Sequence, residues 1–398
     1  MLRWPVATAL IDLTVLSSPS RSRGIGRYAA DLGRALAAQS RGGDLAVHAI
    51  ESLASGATAV AVDPQAAVAR LTAGPTTLTH PAWAWGVRRR LAAAVRQTNA
   101  DVVHSLHPDA SPLGRLDCPR VVTCHDLINV AHAREYATWR DGWAAGRRFL
   151  DGRRYRRADH VIAISRATAD DLVRLLAIPE RSISVVVDGI DLARFSPAPG
   201  ARDGDLRAEL ALGDRPFLLF VGGADWRKNA AGMFDVLAAL GTRAGFDAPL
   251  LAWAGRLDEQ ERPRLMAMAA ERGVADRLRL LGWVPDATLA ALFRGASALL
   301  FLSRAEGFGY PMVEAMASGC PVVCGRSAAA LEIGGDAAIA VDLDRTDAIA
   351  DAVSLLLRDD AERRRCAGRG LARSRAFDVA RMAGETLDVY RRVIAGRS

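Results

Sequence analysis

Two glutamates eight residues apart carry the clearest chemical signal in this chain of 398 residues. Glu306 stands in a glycine-containing loop after an apolar segment, and Glu314 follows Pro311, a residue suited to the first turn of a helix. The spacing predicts one carboxylate in the loop and a second one a turn inside the next helix. Carboxylates accept hydrogen bonds well from the hydroxyl groups of a ribose or a hexose. The pattern therefore favours a ligand that carries sugar hydroxyls, although Glu314 alone also fits a helix-dipole residue.

The basic residues are almost all arginine, with one exception. Lys228 is the only lysine, against fifty-one arginines, and it stands beside Asn229, one of three asparagines. Such depletion is typical of a compositional bias of the genome, so most of the arginines say little about function. The chain avoids both lysine and asparagine but keeps one of each side by side here, which indicates that these two positions tolerate no substitute.

Each half of the chain also has glycines between a predicted strand and a predicted helix. Gly24 and Gly26 precede one apolar-periodic helix, and Gly222 and Gly223 precede another. Glycine lets a backbone approach a phosphate closely, and a helix N-terminus adds N–H groups and a positive dipole end. Two such anion-binding segments, each made of glycines and a helix N-terminus, favour a nucleotide diphosphate as the ligand. Each glycine pair taken alone fits an ordinary tight turn equally well.

The elements that must position these residues alternate along the whole chain. Six apolar segments of strand length precede a Pro/Gly-rich stretch at 196–200 and six follow it, with longer helical segments between them. The predicted strands are 6–10, 45–50, 102–106, 121–124, 160–164, 184–187, 216–221, 250–254, 277–281, 298–302, 321–324 and 338–341. We predict an α/β fold of two Rossmann-like, doubly wound domains that face each other across a cleft. Ligands of such sheets bind beyond the carboxyl ends of the strands.

Composition narrows the class of protein further. Half of the residues are hydrophobic and 24% are charged, which excludes a disordered or fibrous chain. Five cysteines in a chain of this length are no disulfide scaffold, so we expect free thiols in a reducing cytoplasm. We find no signal peptide and no apolar run of membrane-spanning length. The net charge of +7 is modest, and no motif for nucleic-acid binding or for a metal site accompanies it.

The residues after Glu314 complete a pattern that resembles a known family. With the sequence AMASGCPVV at 315–323, it resembles family 4 of the retaining glycosyltransferases, which have GT-B architecture. The resemblance extends over nearly the whole chain, through the segments 24–27, 122–127, 161–165, 187–191, 222–229 and 282–284. The stretch 377–390 resembles the closing helix of that family, which returns to the first domain. The resemblance implies an acceptor-side domain at 1–197, a donor-binding domain at 198–375 and a returning helix at 376–398.

The resemblance also implies roles for single residues toward a nucleotide diphosphate sugar. Arg227 and Lys228 would neutralise the diphosphate and stabilise the departing nucleotide. Glu314 would hold the ribose hydroxyls, and Glu306 the hydroxyls of the transferred sugar. The other implied donor contacts are the backbone N–H groups of Phe308 and Gly309, and the loop glycines Gly24, Gly26 and Gly223.

His125, at the end of a predicted strand of the first domain, would contact the donor sugar beside the reaction centre. An ordinary histidine that caps a turn is the alternative for this residue. Asp126, which follows it, is better explained as a residue that positions the loop. Catalysis is therefore expected from His125, Glu306, Arg227 and Lys228.

The function implied by the resemblance is transfer of a hexose, with retention at the anomeric carbon, to a hydroxyl acceptor. We expect mannose from GDP-mannose, a glycan or lipid-linked glycan acceptor in surface polysaccharide synthesis, no metal and no cofactor besides the co-substrate. Two alternatives stay open. The first is an NAD-dependent oxidoreductase, because the sequence that begins at Gly24 also matches the Gly-x-Gly-x-x-Ala dinucleotide-binding motif. Glu51 would then be the carboxylate that binds the ribose. A sugar-nucleotide epimerase or a non-catalytic binder of the same architecture is the second.

The segment 134–157 combines eight arginines with aromatic residues. Its aromatic side chains include those of Trp139, Trp143, Phe149 and Tyr155. Basic and aromatic residues together can dock on anionic lipid headgroups, which would suit a lipid-linked acceptor and a place on the inner face of the membrane. A solvated helix with its aromatic side chains in the core explains the same composition.

Overall fold

The computed structural model describes residues 7–52, 58–74, 87–135, 141–200 and 203–396. The chain forms two compact units, one made of Met1–Gly189 with Val379–Ser398 and the other of Ile190–Asp378. Each unit has a central β-sheet with helices in its crossover connections. The α/β fold class with two doubly wound sheets is thus confirmed.

The first unit is built on a seven-stranded sheet with the order β3-β2-β1-β4-β5-β6-β7. Its strands are β1 Ala7–Asp12, β2 Leu45–Ser52, β3 Thr58–Val62, β4 Val102–Ser105, β5 Arg120–Cys124, β6 His160–Ala163 and β7 Ile183–Val185. All neighbours are parallel except β2 and β3. Its first six helices are α1 Gly24–Gln39, α2 Pro64–Ala73, α3 Val87–Thr98, α4 Ile128–Ala131, α5 Asp141–Arg156 and α6 Arg166–Leu176.

The second unit is built on a parallel six-stranded sheet with the order β10-β9-β8-β11-β12-β13. Its strands are β8 Phe217–Val221, β9 Leu250–Ala254, β10 Leu278–Gly282, β11 Ala298–Phe301, β12 Val322–Gly325 and β13 Ile339–Val341. Its helices are α7 Leu206–Glu209, α8 Ala230–Gly241, α9 Glu261–Ala270, α10 Asp286–Gly295, α11 Tyr310–Ala317, α12 Ala328–Gly334, α13 Thr346–Arg358 and α14 Asp360–Ser374.

The last helix, α15 Val379–Ala395, returns to the first unit. The Arg381 guanidinium donates to the carbonyl of Val187 at 2.7 Å, and Gln39 of α1 donates to the carbonyl of Ala380 at 2.7 Å. Arg391 pairs with Asp44 at 2.8 Å. These contacts join both ends of α15 to the first unit, although the whole second unit separates them in sequence.

The division between the units lies earlier than the predicted boundary at 197/198. Ile190 donates its backbone N–H to the carbonyl of Phe377 at 2.8 Å. The rings of Phe195 and Phe293 meet edge to face, with centroids 6.1 Å apart. Residues from Ile190 onwards therefore pack with the second unit, because their apolar and backbone groups find partners there before the Pro/Gly-rich stretch begins.

The strand predictions locate twelve of the thirteen strands that the described residues form, and they miss β3, Thr58–Val62. The twelve are apolar because a parallel sheet with helices on both faces buries both sides of its strands. The missed strand has the sequence TAVAV and pairs antiparallel with β2 at the sheet edge. Alanine has a low preference for strands, so the sequence signal there is weak.

In both sheets successive strands are first added on one side of the starting strand and then on its other side, so the strand order reverses once. The reversal lies between β1 and β4 in the first unit and between β8 and β11 in the second. The connections on either side of such a point leave in opposite directions, and a crevice opens at the carboxyl ends of the two strands. Loops after β8 and β11 are therefore where this topology places a ligand in the second unit.

Candidate functional site

The loop after β8 holds two cationic side chains in a short 3-10 helix, Trp226–Lys228. Asp225 begins this turn by accepting the backbone N–H of Arg227 at 3.1 Å. Its carboxylate also binds the Arg227 guanidinium at 2.8 and 3.1 Å. Burial alone would raise the pKa of Asp225, but the hydrogen bond and charge of Arg227, with the charge of Lys228, outweigh it and lower that pKa. The loop therefore presents an internally braced, charged Arg227.

Asn229 ends this turn in the left-handed backbone conformation, with φ of 56°. Asparagine tolerates that conformation far better than most residues, which gives a physical reason for its place beside Lys228. Its side-chain oxygen accepts from the Arg304 guanidinium at 3.3 Å, and the Arg304 backbone N–H donates to the Arg227 carbonyl at 2.7 Å. The loop after β11 thus holds the loop after β8 in place.

Lys228 and Glu306 meet across the point where the strand order reverses. The Lys228 Nζ lies 2.6 Å from Glu306 Oε1, and the two side chains are 13% and 11% exposed. Lys228 follows β8 and Glu306 follows β11, two strands that are neighbours in the sheet. A cation and a carboxylate that can accept hydrogen bonds from hydroxyl groups therefore lie side by side where the topology predicts a ligand.

The loop of Glu306 continues directly into α11. Gly309, with φ of 111°, precedes the helix, and a Cβ there would lie 3.1 Å from the Phe301 ring. Pro311 is in the first turn, as the sequence predicts, and Glu314 lies in α11 and is 1% exposed. Phe308 is 3% exposed and packs edge to face against Tyr310 and Phe377, with centroids 5.1 and 5.9 Å apart. Its side chain is part of the core, so only its backbone is offered to a ligand.

Close backbone packing where β8 and β9 end involves Gly255, a glycine that belongs to none of the predicted motifs. A Cβ on Gly255 would lie 2.0 Å from the carbonyl oxygen of Gly222, so no other residue fits there. The same carbonyl accepts from the Trp253 indole at 3.1 Å. At Gly223 the nearest atom to such a Cβ is 4.0 Å away, so its predicted role does not follow from packing. Neither Gly255 nor Trp253 has a recognisable sequence signal, because their shared partner, the Gly222 carbonyl, follows a different strand.

His125 lies in the first unit, directly after β5. Its Nε2 is 2.8 Å from the Leu106 carbonyl, and because a carbonyl only accepts, Nε2 carries the proton. The Tyr28 ring meets the imidazole edge to face, with centroids 4.9 Å apart. Burial lowers the pKa of His125 to about 4, partly offset by the hydrogen bond to Leu106. Near neutral pH the ring is uncharged and Nδ1 has a lone pair, which suits it to accept a hydrogen bond.

Gly24 and Gly26 lie in the first turn of α1 rather than in an open loop. A Cβ on Gly26 would stand 2.2 Å from the Arg21 carbonyl oxygen, in the 3-10 helix Pro19–Ser22 that packs on α1. Packing against this neighbouring backbone therefore explains Gly26 without a ligand. The predicted contact of both glycines with a diphosphate stays a prediction.

Gly26→Ala is expected to lower the free energy of unfolding by about 1–3 kcal/mol, the usual cost of overpacking. Gly368→Ala is the matched control, because Gly368 lies inside α14 and a Cβ there meets nothing within 4 Å. That control should raise the stability by up to about 1 kcal/mol, since alanine is the better helix former. Urea unfolding of the two variants measures the difference, and equal effects would contradict the packing role of Gly26.

The dinucleotide alternative loses its two supports in the first unit. Its fingerprint needs glycines at the end of a strand, whereas β1 ends at Asp12 and α1 begins only at Gly24. Glu51, the candidate ribose carboxylate, is 3% exposed and is held by the Arg70 guanidinium at 3.0 and 3.3 Å. Asp126 accepts the backbone N–H of Ile128 at 3.1 Å and so braces its own loop, as expected.

The structure describes only part of the basic-aromatic segment 134–157. Trp139 and the side chain of Trp143 lie outside the described residues. Tyr155 is buried in the core, whereas Phe149 is 61% exposed on α5, with the Arg153 guanidinium 5.6 Å from its ring centroid. Within the residues that the structure describes, no helix has the length and apolar character to cross a membrane. Among all residues that the structure describes, no group of three or more His, Cys, Asp or Glu side chains is arranged to hold a metal ion.

Two family profiles match the two halves of the chain. The profile described as "Glycosyltransferase Family 4" matches residues 22–194, and that described as "Glycosyl transferases group 1" matches residues 203–373. The D-inositol 3-phosphate glycosyltransferase of Xylanimonas cellulosilytica is 30% identical over 413 residues, which cover 97% of this chain and 96% of that protein.

The chain is also similar to a second relative and to a solved structure. The O-antigen chain mannosyltransferase B of Escherichia coli is 28% identical to this chain over 234 residues. The match covers 58% of this chain and 60% of that protein, which is less than two thirds of the relative's length. The crystal structure of HepE from Anabaena in complex with UDP-glucose has a TM-score of 0.70 at 18% identity and covers 96% of this chain and 98% of that chain. At this level of identity the likeness is one of fold.

Proposed function

The chain belongs to family 4 of the glycosyltransferases and has their GT-B fold, and from this premise we propose that it transfers a hexose from a nucleotide diphosphate sugar to a hydroxyl acceptor. The pair formed by Lys228 and Glu306 is the observation that carries the proposal. It places a cation suited to a diphosphate beside a carboxylate suited to sugar hydroxyls, where strands β8 and β11 end.

Each residue of the site has one task in this proposal. Lys228 and Arg227 bind the diphosphate and stabilise the negative charge that develops on the departing nucleotide. Glu306 then exchanges its bond to Lys228 for bonds to hydroxyls of the transferred sugar. Glu314 binds the ribose hydroxyls, and the neutral His125 accepts a hydrogen bond from the sugar during transfer.

We propose GDP-mannose as the donor; one of the named relatives above is a mannosyltransferase, which supports this choice. The acceptor is a glycan or lipid-linked glycan of surface polysaccharide synthesis, the anomeric configuration is retained, and no metal is needed. A cytoplasmic enzyme at the inner face of the membrane is consistent with such an acceptor.

The exposed part of α5 supports the proposed membrane contact. Phe149 and Leu150 are 61% and 38% exposed, and exposed arginines follow them in the same segment. This combination of apolar and cationic groups matches an anionic lipid surface. Phe149→Ser with Leu150→Ser should reduce flotation with vesicles that contain anionic phosphatidylglycerol about fivefold or more, since two apolar anchors are lost. Neutral phosphatidylcholine vesicles are the control, and unchanged flotation would contradict the contact.

Calorimetric titration with UDP, GDP, ADP and NAD, in buffer with EDTA and no added metal, tests the proposed function first. We expect one nucleoside diphosphate, GDP, to bind in preference to the other ligands. Binding of NAD alone would overturn the transferase proposal, and binding of UDP or ADP would overturn only the donor.

Transfer itself is tested with the matching sugar nucleotide and a panel of hydroxyl acceptors, with NMR of the anomeric proton in the product. An α-linked product from an α-linked donor is expected. Conversion of the donor to its epimer would favour the epimerase alternative, and binding with no turnover on any acceptor would favour a non-catalytic binder.

A further inference from the structure

We infer that Tyr390 on the last helix is a positioning residue for His125, an inference that rests on the proposed function. A network of four buried side chains runs from Tyr390 to the contact of Tyr28 with His125. The other two members are His104 and Thr123. Each of the four comes from a different element, namely α15, α1, β4 and β5.

Three short contacts make the network continuous. His104 Nδ1 lies 2.7 Å from the Tyr390 hydroxyl, and His104 Nε2 lies 2.7 Å from Thr123 Oγ1. The Tyr28 hydroxyl lies 3.0 Å from the same Thr123 oxygen. All four side chains are completely buried, with 0% exposure.

Burial makes each member depend on the next. It lowers the pKa of His104 to about 3, so the ring is neutral and has one donor and one acceptor nitrogen. One of its two hydroxyl partners must therefore donate and the other must accept. Loss of the Tyr390 hydroxyl would leave a buried ring nitrogen without a partner, and the remaining members would rearrange to satisfy it.

The network reaches His125 through Tyr28. His125 follows Thr123 by two residues and stands directly after β5, which ends at Cys124. The Tyr28 ring is nearly perpendicular to the His125 ring, at 85°, while its hydroxyl contacts Thr123. A change in the position of Thr123 or Tyr28 therefore changes the packing that orients the imidazole.

The hydroxyl of Tyr390 is not needed to fill the core, because phenylalanine would occupy nearly the same volume. It adds a polar link between residues that are 286 positions apart in sequence, and that link forms only when α15 is in place. Buried polar contacts of this kind contribute more to orientation than to stability, which is the role we assign to this one.

Tyr390→Phe tests the inference, and Thr386→Val is its matched control. Thr386 is also completely buried on α15, but its hydroxyl donates only within the helix, to the Met382 carbonyl at 2.8 Å. We expect Tyr390→Phe to lower kcat about tenfold, because small displacements of a catalytic group are costly. The affinity for the nucleoside diphosphate should stay within twofold, and Thr386→Val should change neither quantity beyond twofold. Urea unfolding of both variants compares their stability.

A second readout does not depend on turnover. With ¹⁵N-labelled histidine, the ring signals of His125 are identified by their absence in His125→Gln, and Tyr390→Phe should shift them while Thr386→Val does not. Unshifted His125 signals in Tyr390→Phe, or an equal fall in kcat for both variants, would overturn the inference. If no acceptor supports transfer, the proposed function fails, yet the shift of the His125 signals still decides whether Tyr390 orients that ring.

Discussion

Lys228→Met should weaken binding of the preferred nucleoside diphosphate about 10- to 100-fold, the range expected for one charged hydrogen bond. In the structure the Lys228 ammonium is 2.6 Å from Glu306, and both side chains are almost buried. Methionine has a similar length but no charge. The diphosphate would lose a cationic partner and would also approach a carboxylate that has lost its ion-pair partner. Both effects lower the affinity.

Calorimetric titration of the purified variant measures this loss. Arg364→Met is the control for net charge, since Arg364 is exposed on α14 of the same unit. Removal of one partner of an almost buried ion pair also lowers stability. The double variant Lys228→Met with Glu306→Gln should regain stability in urea. It should regain only the part of the affinity that the unpaired carboxylate costs, because the ammonium is still missing. Normal affinity in either variant would show that Lys228 does not contact the diphosphate.

Glu306→Gln should separate binding from transfer. We expect the rate of transfer at saturating donor to fall about 100-fold, the scale for an interaction realised in the transition state. The affinity for the nucleoside diphosphate should not fall, because the amide keeps its size and removes a negative charge beside the phosphates. Lys228 is then available to the ligand without competition from a carboxylate.

Initial rates and calorimetry on the same preparation give the two quantities. Glu271→Gln, which changes a side chain that is 71% exposed, is the matched control and should leave both unchanged. A parallel loss of affinity and rate in Glu306→Gln would mean that Glu306 serves only to hold Lys228. That result would remove the proposed contact with the sugar and leave the phosphate contact intact.

The local features of the second unit follow from sequence patterns. Glu314 lies one turn inside a helix because proline and the apolar residues around it favour that helix start, and the structure has it there. The unusual pair of Lys228 and Asn229 is explained by a left-handed backbone at Asn229, a local property of one turn. The apolar strands are equally local, since each is a short run of residues buried on both faces.

Contacts between distant segments could not be predicted in the same way. Lys228 and Glu306 are 78 residues apart, and they meet only because β8 and β11 are neighbours at the reversal of the strand order. No residue type in either loop encodes that order. Glu51 is likewise paired with Arg70, which comes from a different element, and this ion pair argues against Glu51 as a ribose ligand.

Residue types and their spacing thus determined the fold class, most strands and the chemistry available in each loop, because those properties depend on neighbours along the chain. The tertiary structure decided which loops meet, why a Cβ on Gly26 or Gly255 would overlap neighbouring backbone, and that the last helix binds its Tyr390 to His104 of the first unit. The reason is physical: strand order and close backbone packing arise from burial of whole elements against one another, and single-chain patterns carry no record of partners that lie hundreds of residues away.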